Sequence, residues 1–200
     1  MSADAKRTEF LILHGGQNQR PIKHWQYLLA QELTRRGHPV RYPQLPESDA
    51  PVLKDWLTAI ENELAGAAGS ELVVIAHSLS CAAWLHLSRR GSVHLPVARL
   101  LFVAPPSPEY LAGEPIFAEF VPPPGAHHDV TATSVAQPRL VCTTDDPVCR
   151  PSADVVYPGV FSTDHIPGGG HLDLAAGYGR WPSMVEWCDN PGVRLVTNKK

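Results

Sequence analysis

No stretch of this 200-residue chain is long and apolar enough to cross a bilayer, which takes roughly 20 residues. The N-terminal run Met1 to Arg7 has no apolar signal core, and Phe10 to Leu13 is too short to be one. Both absences predict a cytoplasmic protein with no membrane partner. There is no basic excess either. The formal net charge is −3, which argues against a nucleic-acid partner, since that would require a basic face. The four cysteines (Cys81, Cys142, Cys149 and Cys188) form no C-x-x-C pair, so neither a zinc ribbon nor a thioredoxin motif is indicated. In a reducing compartment they are expected as free thiols, with Cys81 and Cys142 as ordinary core residues. The ten histidines fall into no H-E-x-x-H or similar ligand spacing, and no metal is expected. The densest cluster, His127-His128-Asp129, sits between proline-rich and polar stretches and reads as a solvated loop. Gly168-Gly169-Gly170 lacks both the G-K-[ST] ending and the G-x-G-x-x-G spacing of a phosphate loop. No internal repeat is present.

What remains is a globular composition, 44% apolar and 18% charged. The length suits one domain over residues 1–200, with unordered ends at about 1–7 and 197–200. Apolar runs of strand length occur at Phe10–Leu13, Val40–Tyr42, Leu72–Ala76, Arg99–Ala104, Arg139–Thr143 and Val160–Ile166. Helical stripes alternate with them. Trp25, Leu28, Leu29 and Leu33 share one face, with Gly37 as the stop. Leu53, Trp56, Leu57, Ile60 and Leu64 share another, with Asp49 and Pro51 as start signals. The helix from about Ser80 to Arg90 is apolar nearly all round and should be buried, and Trp181 to Cys188 closes the chain. Such alternation predicts a mainly parallel sheet with helices on both faces and a site at the carboxyl ends of the strands. The stretch Pro105–Pro124 breaks the pattern. It holds seven prolines, which exclude a long regular helix, and it reads as either a pocket wall or a surface crossover.

The chemistry concentrates in Leu72-Val73-Val74-Ile75-Ala76-His77-Ser78-Leu79-Ser80. A buried strand, a sharp turn carrying a serine between two small residues, and then a buried helix are the layout of a nucleophile elbow. A serine hydroxyl needs a base, and the base needs an orienting acid. In α/β-hydrolases these follow in the order serine, acid, histidine, each after a strand. Asp145-Asp146-Pro147 follows one later strand, and Gly168-Gly169-Gly170-His171 follows the last. Asp145 and Asp146 compete as the acid. The Asp-Pro step turns the chain after Asp146 and favours it, leaving Asp145 to cap the turn. His77 adjoins Ser78, but neighbours in a turn diverge, so it is placed in the pocket wall rather than as the base. His165 reads as structural. After the first strand, His14-Gly15-Gly16-Gln17 offers backbone N–H groups that can approach a substrate closely. The expected oxyanion donors are the N–H of Leu79 together with that of Gly16 or Gln17.

The chain resembles the small serine hydrolases of the α/β-hydrolase superfamily, the group that includes the retinoblastoma-binding serine hydrolase and YdeN-like proteins. The matching pieces run from Leu11-Ile12-Leu13-His14-Gly15-Gly16 through Trp25, Tyr42-Pro43-Gln44-Leu45-Pro46, Asp55-Trp56, His77-Ser78-Leu79, Val103-Ala104-Pro105-Pro106, Asp146-Pro147 and Gly170-His171 to Trp181-Pro182. Family members usually have glycine before the His-Ser pair, where this chain has Ala76, and the segment between Asp146 and His171 is short for a helix plus a strand. The resemblance implies an α/β-hydrolase fold without a large cap, a Ser78–Asp146–His171 triad, no cofactor, and hydrolysis of a small-molecule ester or related acyl bond. With His14, His77, Phe117 and Phe120 as pocket residues, short acyl chains should be preferred. The alternative is a protein-interaction module on the same fold with vestigial activity.

Overall fold

The computed structural model of the chain describes residues 8–67 and 71–198. Six strands make one sheet: β1 (Thr8–Leu13), β2 (Val40–Arg41), β3 (Glu71–His77), β4 (Arg99–Val103), β5 (Arg139–Cys142) and β6 (Ser162–His165). They lie in the order β2-β1-β3-β4-β5-β6, and every pair is parallel. Parallel strands need crossovers, and the helices that supply them cover both faces. This is why β1, β3 and β4 are nearly unbroken apolar runs. Successive residues of β1 face opposite ways. Leu11 and Leu13 pack with Leu53, Trp56, Leu57 and Trp84 on one side, while Phe10 and Ile12 pack with Trp25, Leu29, Trp181 and Trp187 on the other.

The first of those sides is covered by α2 (Leu53–Ala65) and α3 (Leu79–Arg90), the second by α1 (Trp25–Arg35) and α6 (Pro182–Asp189). All ten residues from Leu79 to Ser88 are buried, as the all-round apolar pattern of α3 requires. Each large side chain so buried stabilises the fold by roughly 1.5–3 kcal/mol. The first helix stops where expected, with the Gly37 N–H bonded to the Thr34 carbonyl and the His38 N–H to that of Leu33. The start of α2 differs from expectation. Asp49 does not cap it; its carboxylate accepts from the Gln19 amide. The Leu53 N–H instead finds Glu119 Oε2 at 3.2 Å, a cap supplied by a distant part of the chain.

The proline-rich stretch forms α4 (Pro108–Gly113), capped by Ser107, and one 3₁₀ turn at Ala118–Phe120. His127-His128-Asp129 is not a solvated loop. It belongs to a 3₁₀ segment, Ala126–Thr133, held on α3 by an Arg89–Asp129 ion pair of 3.0 Å and by a 3.0 Å bond from Trp84 Nε1 to Thr133 Oγ1. Between β5 and β6 the chain makes only α5 (Ala153–Val156), one helical turn, which is how the short segment between Asp146 and His171 holds both a helix and a strand. Of the unordered ends expected at about 1–7 and 197–200, residues 1–7 and 199–200 lie outside the described residues. Within the expected C-terminal tail, the Asn198 amide donates to the carbonyls of Gly177 and Arg180. Among the described residues no helix is long and apolar enough to cross a membrane.

Candidate active site

The chain leaves β1 toward β2 on one side and then crosses to β3 and β4 on the other, so strand order reverses between β1 and β3. A crevice opens outside the carboxyl ends of strands at such a switch. The segments after β1, β3, β5 and β6 deliver Gly15, Ser78, Asp146 and His171 to this edge.

Ser78 occupies the turn between β3 and α3 with φ 55° and ψ −122°. A non-glycine residue there stores about 1–3 kcal/mol of strain, which the surroundings must hold in place. The Ser78 N–H donates to the Val103 carbonyl at 3.0 Å. Ser80 Oγ accepts the His77 N–H at 3.0 Å, and its own hydroxyl lies 3.0 Å from the carbonyls of Leu13 and His77. The serine standing in the second small position thus ties the elbow to β1. Ala76 fits as an ordinary buried residue of β3, its carbonyl accepting the Cys81 thiol. Gly15 must be glycine, because a Cβ there would sit 2.8 Å from Ser78 Cβ. Ser78 makes no side-chain cap to α3, so its hydroxyl is not spent on the helix.

That hydroxyl lies 2.8 Å from His171 Nε2. On the other edge of the ring, Nδ1 is 3.0 Å from both Asp146 oxygens. A carboxylate there accepts the Nδ1 proton, which leaves Nε2 as a lone pair facing the serine O–H. Asp146 is buried and is held by the Val148 N–H, which donates to Oδ1 at 2.9 Å. The geometry separates the two aspartates. Asp145 is exposed, and its Oδ2 accepts the Gly170 N–H at 3.2 Å, so it anchors the loop that presents His171 rather than capping its own turn. Thr143 Oγ1 donates to the Gly170 carbonyl at 2.7 Å, and a Cβ on Gly169 would lie 2.7 Å from the Thr143 methyl. The glycine run is therefore a matter of close approach to β5 as well as of bending.

The other expected site residues divide. Gly16 and Leu79 line the cleft, and among the described residues neither backbone N–H has a protein partner. Gln17 lines it too, but its N–H donates to the Ser48 carbonyl at 2.6 Å and is no oxyanion donor. Phe117 lines the cleft beside Gly16. Phe120 does not; it is fully buried, its ring edge-to-face with Trp56 at 5.3 Å, because the 3₁₀ turn carries it under α2. His14 is also behind the site rather than in it. Its Nε2 accepts the Leu45 N–H at 2.8 Å and its Nδ1 donates to the Gly15 carbonyl at 2.7 Å, so the ring braces the glycine turn. His77 lines the cleft from beneath, its Nε2 donating to the His171 carbonyl at 3.1 Å. His165 pairs with Asp154 away from the cleft.

The cleft holds about 350 Å³. Tyr110 and Leu111 of α4 line the cleft, from the proline-rich stretch that could be a pocket wall, whereas sequence reading missed His24 and Asn18 from the β1–α1 loop, Val148 after β5, and Asp173 after His171. These four sit in segments that follow β1, β5 and β6, so the strand-end rule points to the loops that hold them. Burial lowers the pKa of His14 and of His24 to about 4 and that of His77 well below its ordinary value, so all three rings are neutral around the serine. The arrangement can deprotonate a hydroxyl at Ser78 and offer two N–H groups to an anion formed beside it.

A family profile described as serine hydrolase matches residues 10–190. Among solved structures, the ydeN gene product from B. subtilis is similar over 90% of this chain and 96% of its own, with a TM-score of 0.75 and 20% identity. A putative YdeN-like hydrolase from Pectobacterium atrosepticum has a TM-score of 0.65 and 17% identity, covering 92% of this chain and 90% of that one. The esterase domain of a Rhodothermus marinus protein has a TM-score of 0.62 and 16% identity, covering 94% and 87%. A search among curated proteins finds no match.

Proposed function

The chain belongs to the serine hydrolase family, and from that premise we propose that it cleaves carboxylic esters of short acyl chains, with Ser78 as nucleophile, His171 as base and Asp146 as the orienting acid. The observation that carries this reading is the continuous hydrogen-bonded chain from Ser78 Oγ through the His171 ring to the buried Asp146 carboxylate. As Ser78 Oγ attacks the ester carbonyl, His171 Nε2 takes the hydroxyl proton, and Asp146 stabilises the imidazolium so formed. The carbonyl oxygen becomes an oxyanion within reach of the Leu79 and Gly16 N–H groups. These are fixed before the reaction and are worth more than mobile water. Collapse passes the proton from His171 to the departing alkoxide and leaves an acyl-serine. Water, deprotonated by His171, then releases the acid and restores the hydroxyl.

The strained elbow aims Ser78 into the cleft, and a binding module would gain nothing from holding it there. The open cleft and the placed His171 favour the enzyme over an interaction module. Leu111, Phe117 and Leu79 give one wall of the cleft its apolar character, and a volume of about 350 Å³ suits a small substrate. Pre-steady-state hydrolysis of p-nitrophenyl acetate tests the reading. An acyl-serine intermediate predicts a burst of nitrophenolate that is absent in Ser78→Ala. A burst of the same size in that variant would remove Ser78 from the chemistry.

A further inference from the structure

Away from the cleft, Cys142, Asp154 and His165 bring a thiol sulfur, a carboxylate oxygen and an imidazole nitrogen within 4.8 Å of one another. They come from three successive elements. Cys142 ends β5, His165 ends β6, and the two are paired in register, so both side chains leave the same face of the sheet. Asp154 lies on α5, which crosses that face. Its Oδ2 is 3.0 Å from His165 Nε2, and its Oδ1 is 3.8 Å from Cys142 Sγ. The Ser152 hydroxyl donates to Asp154 Oδ1 at 2.5 Å and orients the carboxylate from behind.

We propose that these three side chains bind a borderline transition-metal ion of the Zn²⁺ type, with water completing a tetrahedron. Bonds of about 2.0–2.3 Å in a tetrahedral site place neighbouring ligand atoms about 3.3–3.7 Å apart. One oxygen of Asp154, the His165 nitrogen and the Cys142 sulfur lie within 4.8 Å of one another, and the half-exposed His165 ring is free to close the remainder. A thiolate with an imidazole and one carboxylate selects zinc or cobalt over magnesium or calcium, which prefer oxygen alone. Cys142 is buried, and His165 and Asp154 are open to solvent, so the ion enters from their side and its water ligand faces out. Ser152 supplies the outer-sphere bond that such carboxylate ligands use. On binding, the Cys142 thiol gives its proton to solvent as the sulfur–metal bond forms. The bound ion ties together the ends of β5 and β6, the two strands whose continuations carry Asp146 and His171.

Co²⁺ titration of the untagged full-length protein reads this directly. The site predicts one Co²⁺ per chain, a near-ultraviolet sulfur-to-cobalt charge-transfer band, and loss of that band when Zn²⁺ is added. Cys142→Ser should abolish the band, whereas Cys149→Ser, at a neighbouring buried thiol, should keep it. His165→Ala alters a half-exposed side chain that the core does not need, and it should weaken Co²⁺ binding at least about tenfold; Ser152→Ala should weaken it by about 10- to 100-fold. No charge-transfer band at saturating Co²⁺, a band that survives Cys142→Ser, or unchanged affinity in His165→Ala would each overturn the proposal. The optical readout is independent of ester hydrolysis, so it stands or falls apart from the assignment of Ser78.

Discussion

Replacing Asp146 by asparagine exchanges one carboxylate oxygen for an NH₂ group, and the surroundings decide which one. Asp146 Oδ1 accepts the Val148 N–H at 2.9 Å, so in the variant the amide oxygen stays there. The NH₂ group then takes the place of Oδ2, which lies 3.0 Å from His171 Nδ1. An N–H donor facing Nδ1 forces that nitrogen to accept, and the ring proton moves to Nε2, the edge that faces Ser78 Oγ. The base is then already protonated where it must accept, and the negative charge that steadied the imidazolium is gone. An orienting aspartate of this kind is worth about 10⁴-fold in kcat, close to 5.5 kcal/mol of transition-state stabilisation. The side chain keeps its shape and its bond to Val148, so folding should change little. The assay is kcat/KM for p-nitrophenyl butyrate with Tm measured on the same samples, and Asp145→Asn as the partner variant. Asparagine can still accept the Gly170 N–H, so that variant should stay within a few-fold of the parent. Turnover within tenfold of the parent in Asp146→Asn, or a larger loss in Asp145→Asn, would refute the reasoning.

Gly15→Ala places a methyl group 2.8 Å from Ser78 Cβ and 3.3 Å from its Oγ, and an elbow displaced by such a clash should cost about 100-fold in kcat or more. Phe117→Ala should shift acyl preference toward longer p-nitrophenyl esters, each newly accommodated methylene contributing about 0.8 kcal/mol to kcat/KM. Phe120→Ala should leave that preference alone and cost about 3–5 kcal/mol of stability in urea unfolding, since the ring is fully buried against Trp56. Acid should destabilise the fold through His14 and His24. Their folded pKa of about 4 lies below the ordinary value of 6.5, so the unfolded chain takes up protons first, and stability present above pH 6.5 is lost as pH falls toward 4. Urea midpoints across that range should show the loss, and His14→Gln should reduce the slope.

Buried strands were the most legible part of the fold, because β1, β3, β4 and β5 carry water-excluding residues on both faces. The last strand was read too long. As an edge strand, Ser162-Thr163-Asp164-His165 is polar, and its buried Asp164 is held by Arg139 and Arg194 at 2.6 and 3.0 Å, partners that no local pattern shows. The cap of α2 failed for the same reason: Glu119 comes from another part of the chain. Within the site, residues that must follow a strand in a set order were legible, and Ser78, Asp146 and His171 are brought together. The direction of a single N–H was not. Gln17 and Gly16 are equivalent in sequence, and only the position of Ser48 across the turn removes Gln17. Phe117 and Phe120 have the same chemistry, and the 3₁₀ turn sends one to the cleft and the other to the core.

The central claim is that Ser78 is the nucleophile, and covalent capture addresses it most directly. Incubation with a fluorophosphonate, followed by protease digestion and mass spectrometry, should place one adduct on the peptide containing Ser78. Ser78→Ala should take up none, and His171→Ala should react far more slowly because the hydroxyl keeps its proton. An adduct on any other residue, or labelling undiminished in Ser78→Ala, would contradict the account.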